Sequence, residues 1–173
     1  SSGLNVGAFP VTVAVSLPGL EREAEIGRRV RVGMHGLTSV RGLEQDHRTV
    51  IEVDGGLVLA DDRWDGQTEF IANGEVTASA LSDTTLVTVS APGSSDFPDT
   101  YRDELLLNWI QVTYPRRYEA EAGELLFELD DGTEGMTLSV EGFRTSSVTV
   151  YDLDRGRVLE GVEVDPDVVG FGV

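Results

Sequence analysis

The dominant feature of this sequence is an alternation of apolar and polar residues with a period of two, repeated in short runs. The runs are rich in Val, Ile and Thr, which suits extended strands that bury one face. They are VTVAVSL (11–17), RRVRVGMH (28–35), TVIEV (49–53), EVTASAL (75–81), TTLVTVS (84–90), LLLNWIQVTY (105–114), ELLFEL (124–129), MTLSVEG (136–142), SVTVYDL (147–153) and RVLEGVEV (157–164). Turn signals such as PG, DGG, NG and DDG lie between them. Only LEREAEIG (20–27) and YRDEL (101–105) have the pattern of a short helical turn. The sequence therefore predicts an all-β fold with an antiparallel β-sandwich.

The length of 173 residues fits one ordinary domain or two very small ones. We expect a single β-sandwich module over residues 1–165, followed by 166–173 as a tail or the start of a linker to a missing domain. The longest segment without a strand pattern is 91–104, and long loops of this kind often carry function.

Composition excludes several classes of function. The chain has no cysteine and no lysine, which excludes thiol catalysis, disulfides and lysine Schiff bases. Its 13 basic residues face 31 acidic ones, and the net charge of −18 repels phosphate groups, so we expect no nucleic-acid partner. No apolar run reaches the roughly 18 residues of a membrane span, so we expect none.

The two histidines do not form a catalytic pattern in the sequence. His35 ends one strand pattern, His47 lies in the polar stretch RGLEQDHR, and no GxSxG motif is present. Pairs of carboxylates are expected by chance among 31 acidic residues. We therefore assign no catalytic residue, and a stand-alone enzyme is the least favoured interpretation.

Acidic loops raise the question of calcium, which prefers clustered oxygen ligands. The candidate positions are Asp61, Asp62, Asp65, Asp96, Asp99, Asp130, Asp131 and Glu134. None of these groups has the spacing of an EF-hand, and DDGTE (130–134) has the simpler interpretation of a hairpin turn. We expect no resident cofactor and no metal, with calcium as the alternative.

Aromatic side chains are the candidates for sugar stacking, with the hydrophobic core as the alternative location. The candidates are Trp64, Tyr101, Trp109, Tyr114 and Tyr118. Trp109 lies in a run that is apolar on both parities, which predicts a central strand covered on both faces and a tryptophan in the core. Trp64 lies between acidic residues, so it is either open to solvent or caps the sandwich.

Three segments resemble a known family. NWIQVTYPRRYEAEAGELLFEL (108–129), SVEGFRTSSVTVYDLDRGRVLEG (139–161), and HRTVIEVDGG (47–56) with RWDGQTEF (63–70) are similar to segments of the gingipain-like cysteine peptidases. The resemblance covers residues 47–161 and leaves the first 45 or so residues unmatched. In that family these segments form a jelly-roll-like β-sandwich that precedes a caspase-like catalytic domain.

The resemblance implies a non-catalytic role for this chain. The catalytic histidine and cysteine of the family belong to the later domain, so no catalytic residue carries over to this chain. It implies a secreted, cell-surface or periplasmic protein and a partner in the C-terminal catalytic domain of the parent protein. The function it implies is a non-catalytic accessory domain that packs against or positions the catalytic domain; the alternative is a carbohydrate-binding module of jelly-roll type that holds a glycan.

The segment that ends the long apolar run supplies further candidate contacts. Pro115 lacks an N–H and is expected to end the strand, while Arg116 either anchors the strand end or binds a ligand. The residues that we predict for ligand or interdomain contact are Trp64, Tyr101, Arg116 and Tyr118.

Overall fold

The computed structural model describes residues 3–7, 9–24, 27–95, 97–98, 100–128, 138–159 and 162. Its strands are β1 Leu4–Val6, β2 Val11–Ser16, β3 Arg28–Gly36, β4 His47–Val53, β5 Leu57–Trp64, β6 Glu69–Val76, β7 Thr84–Ser90, β8 Leu105–Thr113, β9 Tyr151–Asp152 and β10 Arg157–Val158. The helical structure in these residues is one 3₁₀ turn at Ala78–Ala80. The described part of the chain contains no helix long and apolar enough to cross a membrane.

Strands β1 to β8 pair in a nested order: β1 with β8, β2 with β7, β3 with β6, and β4 with β5, all antiparallel. Successive pairs alternate between two four-stranded sheets, in the orders β1-β8-β3-β6 and β2-β7-β4-β5. This nested pairing across two sheets is the jelly-roll arrangement. The predicted fold class is confirmed.

The core fills the space between the two sheets. Along β4 and β7 buried and less buried residues alternate, because successive side chains point to opposite faces of a strand. Both sheets contribute to one apolar cluster, which includes Val32, Met34 and Leu105 from the first sheet and Ile51 and Val87 from the second.

Strand β8 shows why a run can be apolar at both its odd and its even positions and still have a face exposed to solvent. Leu107 pairs with Met34 and Trp109 pairs with Gly33, so Asn108 is the extra residue of a β-bulge. Odd positions of β8 therefore point inward before the bulge, and even positions point inward after it. The strand was predicted correctly, but the prediction of a core Trp109 is wrong: this side chain is 41% exposed.

Strand β6 was missed because of a misleading turn signal. The NG pair at 73–74 lies inside β6, where Gly74 pairs with Val30. A Cβ on this glycine would lie 3.0 Å from Leu59 Cβ, so glycine here permits the close approach of β6 to β5, which belongs to the other sheet. The predicted strand EVTASAL (75–81) is wrong beyond the end of β6, because the 3₁₀ turn follows.

Two short predictions of helical turns also differ from the structure. Residues 20–24 form a bridge and bends, and 101–104 have no regular secondary structure. Strands β1 and β5 were not predicted from the apolar pattern. In β5 the polar stretch DDRW (61–64) masks the alternation.

The chain divides into two compact units, Ser1–Arg116 and Arg117–Val173. All the strands of the sandwich lie in the first unit, whereas the sequence patterns predicted one sandwich over 1–165. Nested pairing explains the difference, since each of the eight strands already has its partner when β8 ends. The predicted tail 166–173 lies outside the described residues.

The second unit contains much less regular structure among its described residues. Its sheet consists of the two-residue strands β9 and β10, with Asp152 accepting hydrogen bonds from Arg155 and Arg157. The predicted strand at 124–129 is not formed over 124–128. Of the other predicted C-terminal strands, only 151–152 and 157–158 are strands in the described part, and the remainder is either irregular or outside it.

Candidate functional site

One end of the sandwich is organised by a buried polar cluster that joins three loops. The loops connect β3 to β4, β5 to β6 and β7 to β8, and in a jelly roll these lie at the same end of the strands. We call this cluster the His47 network; its members are Thr38, Asp46, His47, Trp64 and Asp103. Its position at a loop end makes it the first candidate for a functional site.

His47 is fully buried, and both of its ring nitrogens have partners. Nδ1 donates to a carboxylate oxygen of Asp103 at 2.6 Å, and Nε2 donates to the backbone carbonyl oxygen of Thr38 at 3.0 Å. The carbonyl of Thr38 can only accept, so Nε2 carries a hydrogen, and the raised pKa of His47 favours a second hydrogen on Nδ1, which makes the ring an imidazolium. This histidine is therefore fully committed to hydrogen bonds within the protein.

The charge on His47 is stabilised by its surroundings. Burial lowers the pKa of His47, but the hydrogen bond to Asp103 and the negative charges of Asp103 and Asp46 outweigh it, so the pKa lies above its ordinary value. The second oxygen of Asp103 accepts the backbone N–H of Arg48 at 2.9 Å. The result is a buried ion pair whose hydrogen-bonding groups are satisfied by the fold itself.

Asp46 ties the same imidazolium to two loops. Its carboxylate accepts the backbone N–H of Gly66 at 2.8 Å and that of Val40 at 2.5 Å. Burial raises the pKa of Asp46, but these two backbone hydrogen bonds, together with His47, bring it below the ordinary value. Asp46 is therefore a carboxylate that holds two loops in place.

Trp64 covers the other side of the imidazolium. Its ring stacks on His47 with centroids 4.1 Å apart, and its Nε1 donates to Thr49 Oγ1 at 2.9 Å. Phe70 stacks on its far face at 5.0 Å. Only 6% of Trp64 is exposed, so of the two predicted locations it takes the capping one. It is not available for stacking on a sugar.

A shallow cleft of about 440 Å³ lies beside this network. Its walls come mainly from the β7–β8 loop, and they include Tyr101 and Arg102 together with Arg48 from β4. Tyr101 bonds to Thr38 Oγ1 at 3.0 Å, and burial raises the pKa of its phenol, so it stays neutral. Arg48 forms a bidentate ion pair with Asp61, in which Nε donates to Oδ1 at 2.8 Å and Nη2 donates to Oδ2 at 2.7 Å.

The predicted contact residues thus have different locations. Tyr101 lies on the cleft, while Trp64 lies in the interior behind it. Arg116 ends the first unit, where its backbone forms an isolated bridge with Leu20. Tyr118 belongs to the second unit, is 37% exposed and packs edge-to-face on Phe127.

The acidic positions considered for calcium do not assemble in the part of the chain that the structure describes. That part holds no group of three His, Asp or Glu side chains able to bind a metal. Asp61 is engaged by Arg48, whose hydrogen bond lowers the pKa of Asp61. Asp96, Asp99, Asp130, Asp131 and Glu134 lie outside the described residues.

Comparison with known proteins assigns no family. No protein-family model matches the chain, and no curated protein matches it.

The sequence did not indicate the Asp103–His47 pair or the exposed position of Trp109. The Asp103–His47 pair spans 56 positions, so no spacing motif indicates it. The exposed position of Trp109 follows from a bulge that the apolar pattern hides. A signal was present in each case: His47 begins a strongly alternating strand, and Asn108 interrupts an otherwise apolar run.

Proposed function

We propose that this chain is a non-catalytic β-sandwich accessory domain of a larger secreted or surface peptidase of gingipain type, which packs against or positions the catalytic domain. Two things support the proposal: the resemblance of residues 47–161 to the region before that catalytic domain, and the jelly-roll fold of the first unit, which contains the resembling segments 47–56 and 63–70 and the beginning of 108–129. The absence of cysteine from the sequence agrees with it, because the nucleophile of that family is a cysteine.

The observation that carries the non-catalytic part is the state of His47. A general base needs a free nitrogen within hydrogen-bond reach of its substrate. His47 has none, because Asp103 and the carbonyl of Thr38 take both nitrogens and the side chain is fully buried. The resemblance of this arrangement to an Asp–His catalytic pair ends at the second nitrogen, which faces a carbonyl where a catalytic pair has a nucleophile.

The experiment that tests the accessory role begins with the coding sequence that follows residue 173 in the parent gene. We expect a caspase-like segment with a histidine and a cysteine. Expressing that segment with and without residues 1–173 should give a soluble, active peptidase only when the module is present. A following sequence without these residues, or a catalytic segment that is equally soluble and active alone, would contradict the proposal.

A second measurement concerns the module itself. The purified chain should not cleave labelled casein, and fractions across its size-exclusion peak should be equally inactive. Peptidase activity that follows the protein peak and is retained through further purification would show that a catalytic site exists in this chain.

A carbohydrate-binding module is the second candidate function. The observation that favours it is the exposed Trp109, since an aromatic ring on the outer face of a sheet offers a flat apolar surface to a sugar ring. The buried Trp64 offers none.

A further inference from the structure

The outer face of the β1-β8-β3-β6 sheet carries an aromatic platform. We call it the Trp109 face; it consists of the outward-pointing side chains of Arg31, Ile71, Asn73, Trp109 and Gln111 around Gly33. These residues lie in two adjacent rows across β6, β3 and β8. One row is Ile71–Gly33–Trp109, and the row beside it is Asn73–Arg31–Gln111.

The β-bulge at Asn108 creates this platform. Without the extra residue, the odd positions of β8 would continue to point into the core, and Trp109 would follow Leu107 there. Bulges re-aim side chains and are over-represented beside functional sites. Here the bulge brings the largest side chain of the strand to the solvent face.

The indole ring of Trp109 packs on the backbone of Gly33. A Cβ on this glycine would overlap Cε2, Nε1 and Cζ2 of Trp109, so the ring lies directly over the Gly33 backbone. Ile71 flanks the same glycine from β6 and is 47% exposed. The row is therefore a flat apolar strip that crosses three strands.

The neighbouring row supplies hydrogen-bonding groups. Arg31 Nη1 donates to Gln111 Oε1 at 3.1 Å, and its guanidinium lies over the Trp109 ring, 5.5 Å from the ring centre. Gln111 uses its amide oxygen in this bond, so its NH₂ group is a further donor on this face, and Asn73 adds a second amide. Donors and acceptors thus border one side of the aromatic strip.

We propose that the Trp109 face binds a neutral polysaccharide. A pyranose ring has an apolar face that matches the indole and a rim of hydroxyl groups that match the amides and the guanidinium. The net charge of −18 disfavours polyanionic ligands, which is why the ligand class is neutral. This inference rests on the second candidate function and names its site.

The test is calorimetric titration of the full chain with cellohexaose, xylohexaose and mannohexaose, and with hexagalacturonate as the anionic comparison. We expect at least one neutral hexasaccharide to bind, and Trp109→Ala to weaken that binding by about tenfold or more. Gly33→Ala keeps the indole, but the added methyl group would overlap the ring and displace it from the Gly33 backbone, so this substitution should weaken binding as well. The matched control is Leu86→Ala, which removes an exposed residue from the outer face of the other sheet and should leave affinity unchanged.

The outcomes distinguish a wrong binding site, the Trp109 face, from a wrong function, carbohydrate binding by this chain. Neutral glycan binding that survives Trp109→Ala would overturn the site while leaving a carbohydrate-binding module in place. Binding of none of the neutral hexasaccharides would overturn both of these, without touching the accessory role. Binding of hexagalacturonate alone would overturn the neutral class. Thermal denaturation of each variant confirms that it is folded before titration.

Discussion

The two tryptophans of this chain occupy opposite environments. One lies in the interior and stabilises the sandwich, and the other lies on an outer sheet face, where its ring is accessible to a ligand. Trp64 lies inside the loop end, stacked between His47 and Phe70 with its N–H bonded to Thr49. Trp109 lies on an outer sheet face, seated on Gly33 beside a guanidinium. The first packs β5 against β4 and β6 in the interior, and the second displays an aromatic surface.

The contrast also shows that neighbours along the chain do not decide which side of a strand a residue takes. Trp64 lies in the charged stretch DDRWD (61–65) and is buried, whereas Trp109 lies in the mostly apolar run LLLNWI (105–110) and is exposed. The deciding features are the strand register and one bulge. The following predictions test this difference, beginning with the largest effect.

Trp64→Ala should lower the free energy of unfolding by about 3–5 kcal/mol, the range for removing a large aromatic side chain from a core. It leaves a cavity between Phe70 and a buried imidazolium. A domain of this size has about 5–15 kcal/mol of stability, so the variant should be partly unfolded or unfold at much lower denaturant. Urea denaturation followed by circular dichroism measures the change. A loss below about 1 kcal/mol would show that Trp64 does not belong to the interior.

Asp103→Asn should lower the free energy of unfolding by about 1.5–3 kcal/mol, because it removes the charge from a hydrogen bond to a buried imidazolium. Asp61→Asn is the control, since Asp61 forms an ion pair with Arg48 at the surface, where such pairs contribute about 0–1 kcal/mol. Equal effects of the two substitutions would contradict the structural role of the His47 network.

The stability of the parent protein should depend on pH through His47. Its pKa is raised in the folded state, so its contribution is complete below the ordinary value near 6.5 and is lost as the pH rises through the folded value. Asp46 acts in the opposite direction: its pKa is lowered, so its contribution is present above about 3.8 and is lost as the pH falls through the folded value. Stability should therefore be highest between these limits.

Denaturation series from acid to alkaline pH check this dependence in the parent and in Asp103→Asn. The loss of stability on the alkaline side should be smaller in the variant, because less of the His47 shift remains. Comparing the two proteins cancels the self-repulsion of a chain with net charge −18. Parallel curves would exclude His47 as the source of the alkaline loss.

Trp109→Ala should have the smallest effect on stability, about 1 kcal/mol or less, since a partly exposed side chain on a sheet face loses little contact area on removal. The same denaturation measurement applies. A loss comparable with that of Trp64→Ala would mean that the Trp109 face is part of the core and that nothing is displayed there.

The alternating runs were sufficient to predict the fold class, because strands such as β2, β4 and β7 bury one face in strict alternation. They failed where a local feature breaks the period: the bulge in β8, the glycine inside β6 and the acidic half of β5. They also predicted strands after residue 116 that the sandwich does not contain, since its eight strands are already paired. The His47 network depends on contacts between residues far apart in the chain, so no spacing motif links its members, and the one local signal is that His47 begins a strongly alternating strand.

The most direct test of the contrast uses the fact that the chain has only two tryptophans. Trp109→Phe leaves Trp64 as the single fluorophore, and Trp64→Phe leaves Trp109. Acrylamide quenching of the native proteins should find Trp64 protected, with blue-shifted emission, and Trp109 readily quenched, with red-shifted emission. The reverse order, or equal quenching of the two, would contradict the account of an interior tryptophan that stabilises and an outer one that is displayed.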